Sequence, residues 1–308
     1  MLALTRSSSG VGLVRAERPR PAEGEVVVKV MCAGLCRTDL YVADGLLPTE
    51  FPRILGHEGA GVICQVGSKV DPSRLGERVT VFPWEGCGDC SYCTQEKLGH
   101  LCPARRFVGW HRDGCFAEFM AVPESQCITL PDDIDFQAGA YLEPLMAALG
   151  VLKAPVKEAG SVAVLGDNRI AELTRLVLEK FANCRLSDIE DQENSVDLLV
   201  ETDATESSLK QAFRLLRPDG VLVLKSRPPD SVKWPVRLQV EKEITTVGVG
   251  YGHLKMALLF LKTRGREFEP LWSTPRSIDQ WPEALESERR GGGRQKIFFL
   301  PQEHSSTV

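Results

Sequence analysis

Apolar and polar positions alternate in short runs through the first part of the chain. The segment EVVVKV at 25–30 reads as a half-buried strand, and the glycines of GHEGAG and VGSKV read as tight turns between such strands. This pattern predicts a partly open, β-barrel-like lobe. Further along, the period changes. SVAVLGDNRIAELTRLVLEKF predicts a buried strand at 161–165, a glycine turn and a helix through about Phe181, and VDLLVET predicts a second buried strand from Val196. There follow a helix at about 206–216, RPDG as a turn, the strand VLVLKS, the strand-like ITTVGV at 244–249 and an amphipathic helix from His253 to Thr263. Strands alternating with helices predict an α/β fold with a parallel sheet covered on both faces. From about residue 270 the chain is expected to return to the first lobe, ending in the strand KIFFLP and a frayed polar tail. The expected domains are therefore 1–147 with 270–308, and 148–269.

One interval is short. Only 30 residues separate Gly166 from Val196, whereas a parallel βαβ unit takes roughly 30 residues or more by itself. If CRLSD at 184–188 is a strand, the seven residues IEDQENS cannot hold another helix before the next parallel strand. The second domain is therefore expected to lack a helix and a strand.

Length supports two domains, since 308 residues exceed one typical core. A net charge of -5, with 43% hydrophobic and 26% charged residues, provides no basic footprint for nucleic acid or an anionic membrane. The start of the chain has no apolar core of signal-peptide length, and the longest apolar run, Met256 to Leu261, is too short to span a bilayer. These features point to a cytoplasmic protein acting on a small-molecule substrate.

Cysteine usage carries the first definite chemistry. The chain has ten cysteines, and four of them, Cys87, Cys90, Cys93 and Cys102, fall within the sixteen residues CGDCSYCTQEKLGHLC. Two C-x2-C steps and a returning fourth thiolate suit one tetrahedral zinc ion, and a full protein shell makes the site structural. An iron–sulfur cluster uses similar spacings, but this run lacks the proline-terminated ferredoxin pattern and a second cysteine group. His100 is near enough in sequence to compete with Cys102 as the fourth ligand. Cys32, Cys64, Cys115, Cys127 and Cys184 are scattered and read as small apolar residues. His111, in the turn-rich GWHRDG, reads as a structural or surface histidine.

Around that cluster lie GLCRTDLY at 34–41, GHEGAGVICQVGSKV from Gly56 and YLEPLMAALG at 141–150, with GCFAEFMAVP, VGVGYG and KIFFLP further on. In this order they resemble the zinc-dependent medium-chain alcohol and polyol dehydrogenases through nearly the whole chain. The resemblance implies a GroES-like β-barrel-type catalytic domain and a shortened Rossmann-like, doubly wound parallel-sheet domain. It implies a catalytic zinc on Cys36, His57 and Glu143, with an open position for substrate, and two zinc ions per chain in all. Glu58 would lie beside that metal, as a ligand or in a supporting position. Asp39 would accept the other ring N–H of His57, and Thr38 would take the substrate hydroxyl proton. Where several family members carry a relay histidine this chain has Tyr41. Trp84, Trp110 and Tyr251 stand at positions that line the family's pocket, and relatives pair as homodimers or homotetramers.

The resemblance also implies NAD or NADP. In dinucleotide-binding folds the first turn is G-x-G-x-x-G, so that backbone can approach a pyrophosphate at a helix N-terminus. Here the three positions are Gly166, Asn168 and Ala171. Asp188, 22 residues beyond Gly166, sits close to the offset of a ribose-binding carboxylate, and Arg37 matches a position that can meet the pyrophosphate. The expected function is hydride transfer between an alcohol or carbonyl substrate and NAD(P). The alternatives are a non-redox zinc enzyme on the same fold, a lyase, hydrolase or isomerase that has lost the nicotinamide, and a catalytically silent scaffold.

Overall fold

The computed structural model describes residues 1–302 apart from 95–98, 157–159, 183, 185, 188–191 and 292. The chain divides into two compact units. The first comprises Met1–Glu143, Leu261–Gly291 and Gln295–Val308; the second comprises Pro144–Phe260 and Gly292–Arg294.

The first unit is mostly antiparallel. Its main sheet runs in the order Cys127–Thr129, Arg78–Val81, Glu58–Val66, Glu25–Gly34, Phe298–Leu300 and Arg276–Ser277. Phe119–Pro123 also pairs with the Glu25–Gly34 strand, along its first half, while Phe298 and Phe299 pair with Gly34 and Ala33. The closing strand at Phe298 thus completes a sheet whose first strand in sequence begins at Glu25. In the Glu25–Gly34 strand, Val26, Val28 and Val30 enter a core shared with Leu55, Ile63, Phe116 and Phe299, and Lys29 points to solvent. Val27, on the face that carries Lys29, is buried as well, so that face is covered at its Val27 end.

The second unit holds a four-stranded sheet in the order Val162–Leu165, Val196–Glu201, Leu216–Leu224 and Thr245–Gly248, every neighbouring pair parallel. Helices Arg169–Phe181, Glu206–Leu215 and Val236–Glu241 alternate with these strands, and a helix of Leu254–Phe268 follows, kinked at Arg264 immediately before Gly265. Expectation and structure differ at RPDG. The strand already begins at Leu216, and Arg217, Pro218 and Asp219 form an exposed irregularity with Asp219 at φ 61° rather than a separate turn. The expected strand at 184–188 is, among the described residues, a single parallel bridge between Leu186 and Val162, with the Ser187 N–H donating to the Val162 carbonyl at 2.8 Å. Beyond it the described sheet has no further strand on that side. Among the described residues no helix is long and apolar enough to cross a membrane.

Close strand approach makes one glycine indispensable. A Cβ at Gly61 would stand 2.0 Å from the Lys29 carbonyl oxygen on the paired strand, and backbone cannot yield as a side-chain tip can. Gly61→Ala should therefore cost about 1–3 kcal/mol in denaturant unfolding. Gly12→Ala, where the added carbon meets nothing within 4 Å, should be neutral or stabilising by up to about 1 kcal/mol. Equal effects of the two changes would show that this approach does not limit packing.

Candidate active site

The candidate site is assembled from three places in the first unit: the start of the short helix Arg37–Ala43, the loop entering the Glu58–Val66 strand, and the closing strand segment at Lys296. Cys36 is the N-cap of the helix. Asp39, buried at 1% exposure, has two tasks. Its Oδ2 accepts the Cys36 backbone N–H at 2.8 Å, and its Oδ1 lies 2.9 Å from His57 Nδ1. One carboxylate therefore closes the helix start and orients the imidazole.

His57 is held in place by glycines. Gly56 has φ 94°, and a Cβ there would lie 2.5 Å from the Phe116 ring. Gly114, in the GWHRDG turn, is pressed against the Gly56 carbonyl oxygen so closely that a Cβ would stand 2.1 Å from it. That turn therefore braces the GHE loop. Within it, His111 accepts the Phe107 N–H at Nδ1 (3.1 Å) and packs against the Trp110 ring at a tilt, which makes it a structural histidine. Phe107 in turn faces the His57 ring, with centroids 5.0 Å apart.

The sulfur of Cys36, a ring nitrogen of His57 and a carboxylate oxygen of Glu58 lie within 4.8 Å of one another. This is a donor set of the kind zinc accepts. Thr38 Oγ1 lies 3.9 Å from Cys36 Sγ. Glu143 is buried at 7% exposure and close enough for its charge to raise the Glu58 pKa, but its carboxylate is not among the atoms gathered within that distance. The gathered carboxylate is Glu58. Tyr41 and Arg37 occupy the same short helix, both half-buried.

Lys296 escaped the sequence reading. Its ammonium is in direct contact with the Glu58 carboxylate, at 5% exposure against 1%. The signal was a cation heading an otherwise apolar strand, KIFFLP, where a buried lysine requires a buried acid. Burial pushes the Glu58 carboxyl up, Lys296 pulls it down, and Glu143 adds a further upward push; the net direction is up. Gly34 leaves the room this carboxylate needs, since a Cβ there would stand 2.2 Å from Glu58 Oε2.

Cys87, Cys90, Cys93 and Cys102 form the second gathered group, again with ligand atoms within 4.8 Å. His100 stacks edge-on against Trp84 and is not in this group. The Cys87 N–H donates to Cys102 Sγ at 3.4 Å and brings that thiol down to about 7, while a hydrogen bond with the Asp89 carboxylate pushes Cys87 up to about 12. A divalent cation would deprotonate all four, as thiolate ligation requires. Cys32 and Cys115 are inert by comparison: burial raises the first to about 12 and the second well above its ordinary value.

In the second unit, Gly166 has φ 128°, a conformation suited to glycine, and Ala171 is fully buried. Asn168 caps the Arg169–Phe181 helix. Asp188 lies outside the described residues.

Residues 22–132 match the alcohol dehydrogenase GroES-like domain. The chain is 37% identical over 149 residues to the starvation-sensing protein RspB of Escherichia coli, a match covering 48% of this chain and 44% of that relative, so it spans less than half of that protein's length. It is 28% identical over 267 residues to an alcohol dehydrogenase of Geobacillus stearothermophilus, covering 75% of this chain and 79% of the relative. Its fold matches that of a zinc-binding dehydrogenase from Sinorhizobium meliloti bound to NADP, with a TM-score of 0.83 at 26% identity over 97% of this chain and 99% of the other.

Two outcomes follow from this geometry. Burial lowers the His57 pKa, but Asp39, with Cys36 acting in the same sense, overrides it and holds the value well above the ordinary 6.5. A pKa raised on folding stabilises the metal-free chain below the unfolded value, and that contribution is lost as pH rises through the folded one. Urea unfolding of metal-free protein from about pH 6 to about pH 9 should show the loss, and Asp39→Asn should flatten it; an unaltered profile would exclude the pair as its source. Cys102→Ser should release one zinc per chain by metal analysis and lower the melting temperature, and a full metal complement would remove Cys102 from the ligand set.

Proposed function

We propose that this chain, a homologue of the zinc-dependent medium-chain alcohol and polyol dehydrogenases carrying the alcohol dehydrogenase GroES-like domain, is an oxidoreductase that transfers hydride between an alcohol or carbonyl substrate and NAD(P). The observation that carries this reading is the convergence of Cys36, His57 and Glu58 on one point beside Thr38, with His57 oriented by Asp39. The names of the relatives weigh for hydride transfer over non-redox zinc chemistry.

Cys36, His57 and Glu58 would hold the catalytic zinc, with Glu143 as the carboxylate able to exchange with Glu58. A zinc ion bound there supplies a Lewis acid that lowers the pKa of an alcohol oxygen. Asp39 fixes the His57 tautomer and leaves the other ring nitrogen free to ligate. Thr38 accepts the substrate hydroxyl proton, and Tyr41, one helical turn on, is the next group outward. Lys296 balances the Glu58 charge. Phe107 and Trp110 supply an apolar wall on the His57 side.

Cys87, Cys90, Cys93 and Cys102 would hold a second, structural zinc, giving two per chain. Gly166 and Ala171 fit a dinucleotide turn and Asn168 does not; Arg37 and Asp188 are the remaining cofactor candidates. We assign 1–147 with 270–308 to the zinc-bearing domain and 148–269 to the shortened cofactor domain. The protein would act on a small molecule in the cytoplasm, a compartment where free thiols persist, as a homodimer or homotetramer.

Zinc-loaded protein with NAD or NADP and a panel of secondary alcohols and polyols should produce reduced nicotinamide absorbance. Thr38→Val should lower kcat by about 10²–10⁴ with little effect on zinc content. Cys36→Ala should abolish activity and retain one zinc per chain. Retention of two zinc ions by the Cys36 variant, or full turnover by the Thr38 variant, would remove that residue from its role.

A further inference from the structure

In a parallel βαβ unit the first turn binds a pyrophosphate because the amide N–H groups opening the helix have no partner within it. In this chain two of those groups are already taken. Asn168 Oδ1 accepts the backbone N–H of Ile170 and of Ala171, each at 3.0 Å. At the other end of the same side chain, Nδ2 donates to Thr202 Oγ1 at 3.0 Å and to Asp203 Oδ1 at 2.6 Å. Thr202 is itself anchored, its hydroxyl donating to the Leu165 carbonyl at 2.9 Å. The carboxamide is thus held from both sides, and Asn168 is only 5% exposed.

The surroundings reinforce this occupancy. A Cβ on Gly166 would meet Thr202 Oγ1 at 2.1 Å and Asn168 Nδ2 at 3.1 Å, so the space over the turn is already filled. Asp203 and Asp167 place two carboxylates beside it, and Asp167 holds the guanidinium of Arg294, its Oδ1 accepting from Nε at 3.1 Å and lying 2.9 Å from Nη2. Both members of that exposed pair can separate at little cost. The Asn168 clamp is buried and cannot part so cheaply.

We propose that the Asn168 side chain is an internal occupant of the pyrophosphate position: NADH or NADPH binds only by displacing it, and binds more weakly than to the same chain with glycine there. The proposal rests on the dehydrogenase reading. It makes residue 168 the determinant of cofactor affinity in this fold, through competition for two N–H groups rather than through contact with the nicotinamide or adenine.

The test is isothermal titration of zinc-loaded, full-length protein with NADH, NADPH and ADP-ribose, comparing wild type with Asn168→Gly. Glycine is a tolerated N-cap, and Asn168→Ala carries the same test if the glycine variant does not fold. The expected result is affinity tighter by about fivefold for Asn168→Ala, the factor that corresponds to losing one such cap as a competitor, with Asn168→Gly moving in the same direction. ADP-ribose, which keeps the pyrophosphate and lacks nicotinamide, should gain by the same factor as NADH. Equal or weaker binding by the variant overturns the proposal and leaves the dehydrogenase reading standing. A gain with NADH but none with ADP-ribose also overturns it, because the effect would lie elsewhere. Absence of binding by both forms overturns it together with the NAD(P) reading.

Discussion

Three acids, Asp39, Glu58 and Glu143, are each less than a tenth exposed in the first unit, and two of them flank a thiol and an imidazole that share the same small volume. An unpaired buried carboxylate costs several kcal/mol, so each such charge requires a partner. Asp39 finds two, in the Cys36 amide and the His57 ring, and Glu58 finds Lys296. Placing Lys296 there requires the chain to return after the second unit, which it does as the strand that closes the main sheet. The need to neutralise these acids thus links residues from both ends of the sequence. It also prepares the place for a cation, since a site rich in carboxylate, thiolate and imidazole is relieved of repulsion when a divalent metal enters.

Glycine makes that geometry possible. At Gly34 and Gly56 a side-chain carbon would collide with the Glu58 carboxylate and the Phe116 ring, and at Gly114 with the carbonyl of Gly56. The two short turns GHE and GWHRDG therefore interlock, and His57 is set by backbone on one side and by the Asp39 carboxylate on the other. Side chains fixed this way would lose little entropy on binding a metal, because they are already placed.

The second unit shows a different economy. Its four parallel strands and alternating helices retain the core of a doubly wound sheet, while the side next to Val162 is reduced, among the described residues, to one bridge at Leu186. The same unit satisfies its helix start internally, through Asn168. A helix opening with its own cap is more stable in isolation than one that waits for a ligand.

Much of this was legible in the chain. The four-cysteine lobe followed from spacing, because thiolates with two residues between them can reach one ion regardless of what surrounds them. The strand–turn–helix at 161–181 and the shortness of the interval before Val196 followed from period and length alone. Cys36, His57, Thr38 and a place for Glu58 beside them were legible through order and motif, whereas the gathering of Glu58 rather than Glu143 with the thiol and imidazole, the Glu58 contact with Lys296 and the bracing of the GHE loop by GWHRDG were not. Those depend on pairings between residues dozens to hundreds apart in sequence, and local pattern carries no information about such distances. The sequence by itself determined which chemistries were available and where each unit's periodicity changed. Only the tertiary structure decided which carboxylate stands with the thiol and the imidazole, and that Asn168 turns inward onto two amides, because burial and partner choice are properties of the packed chain.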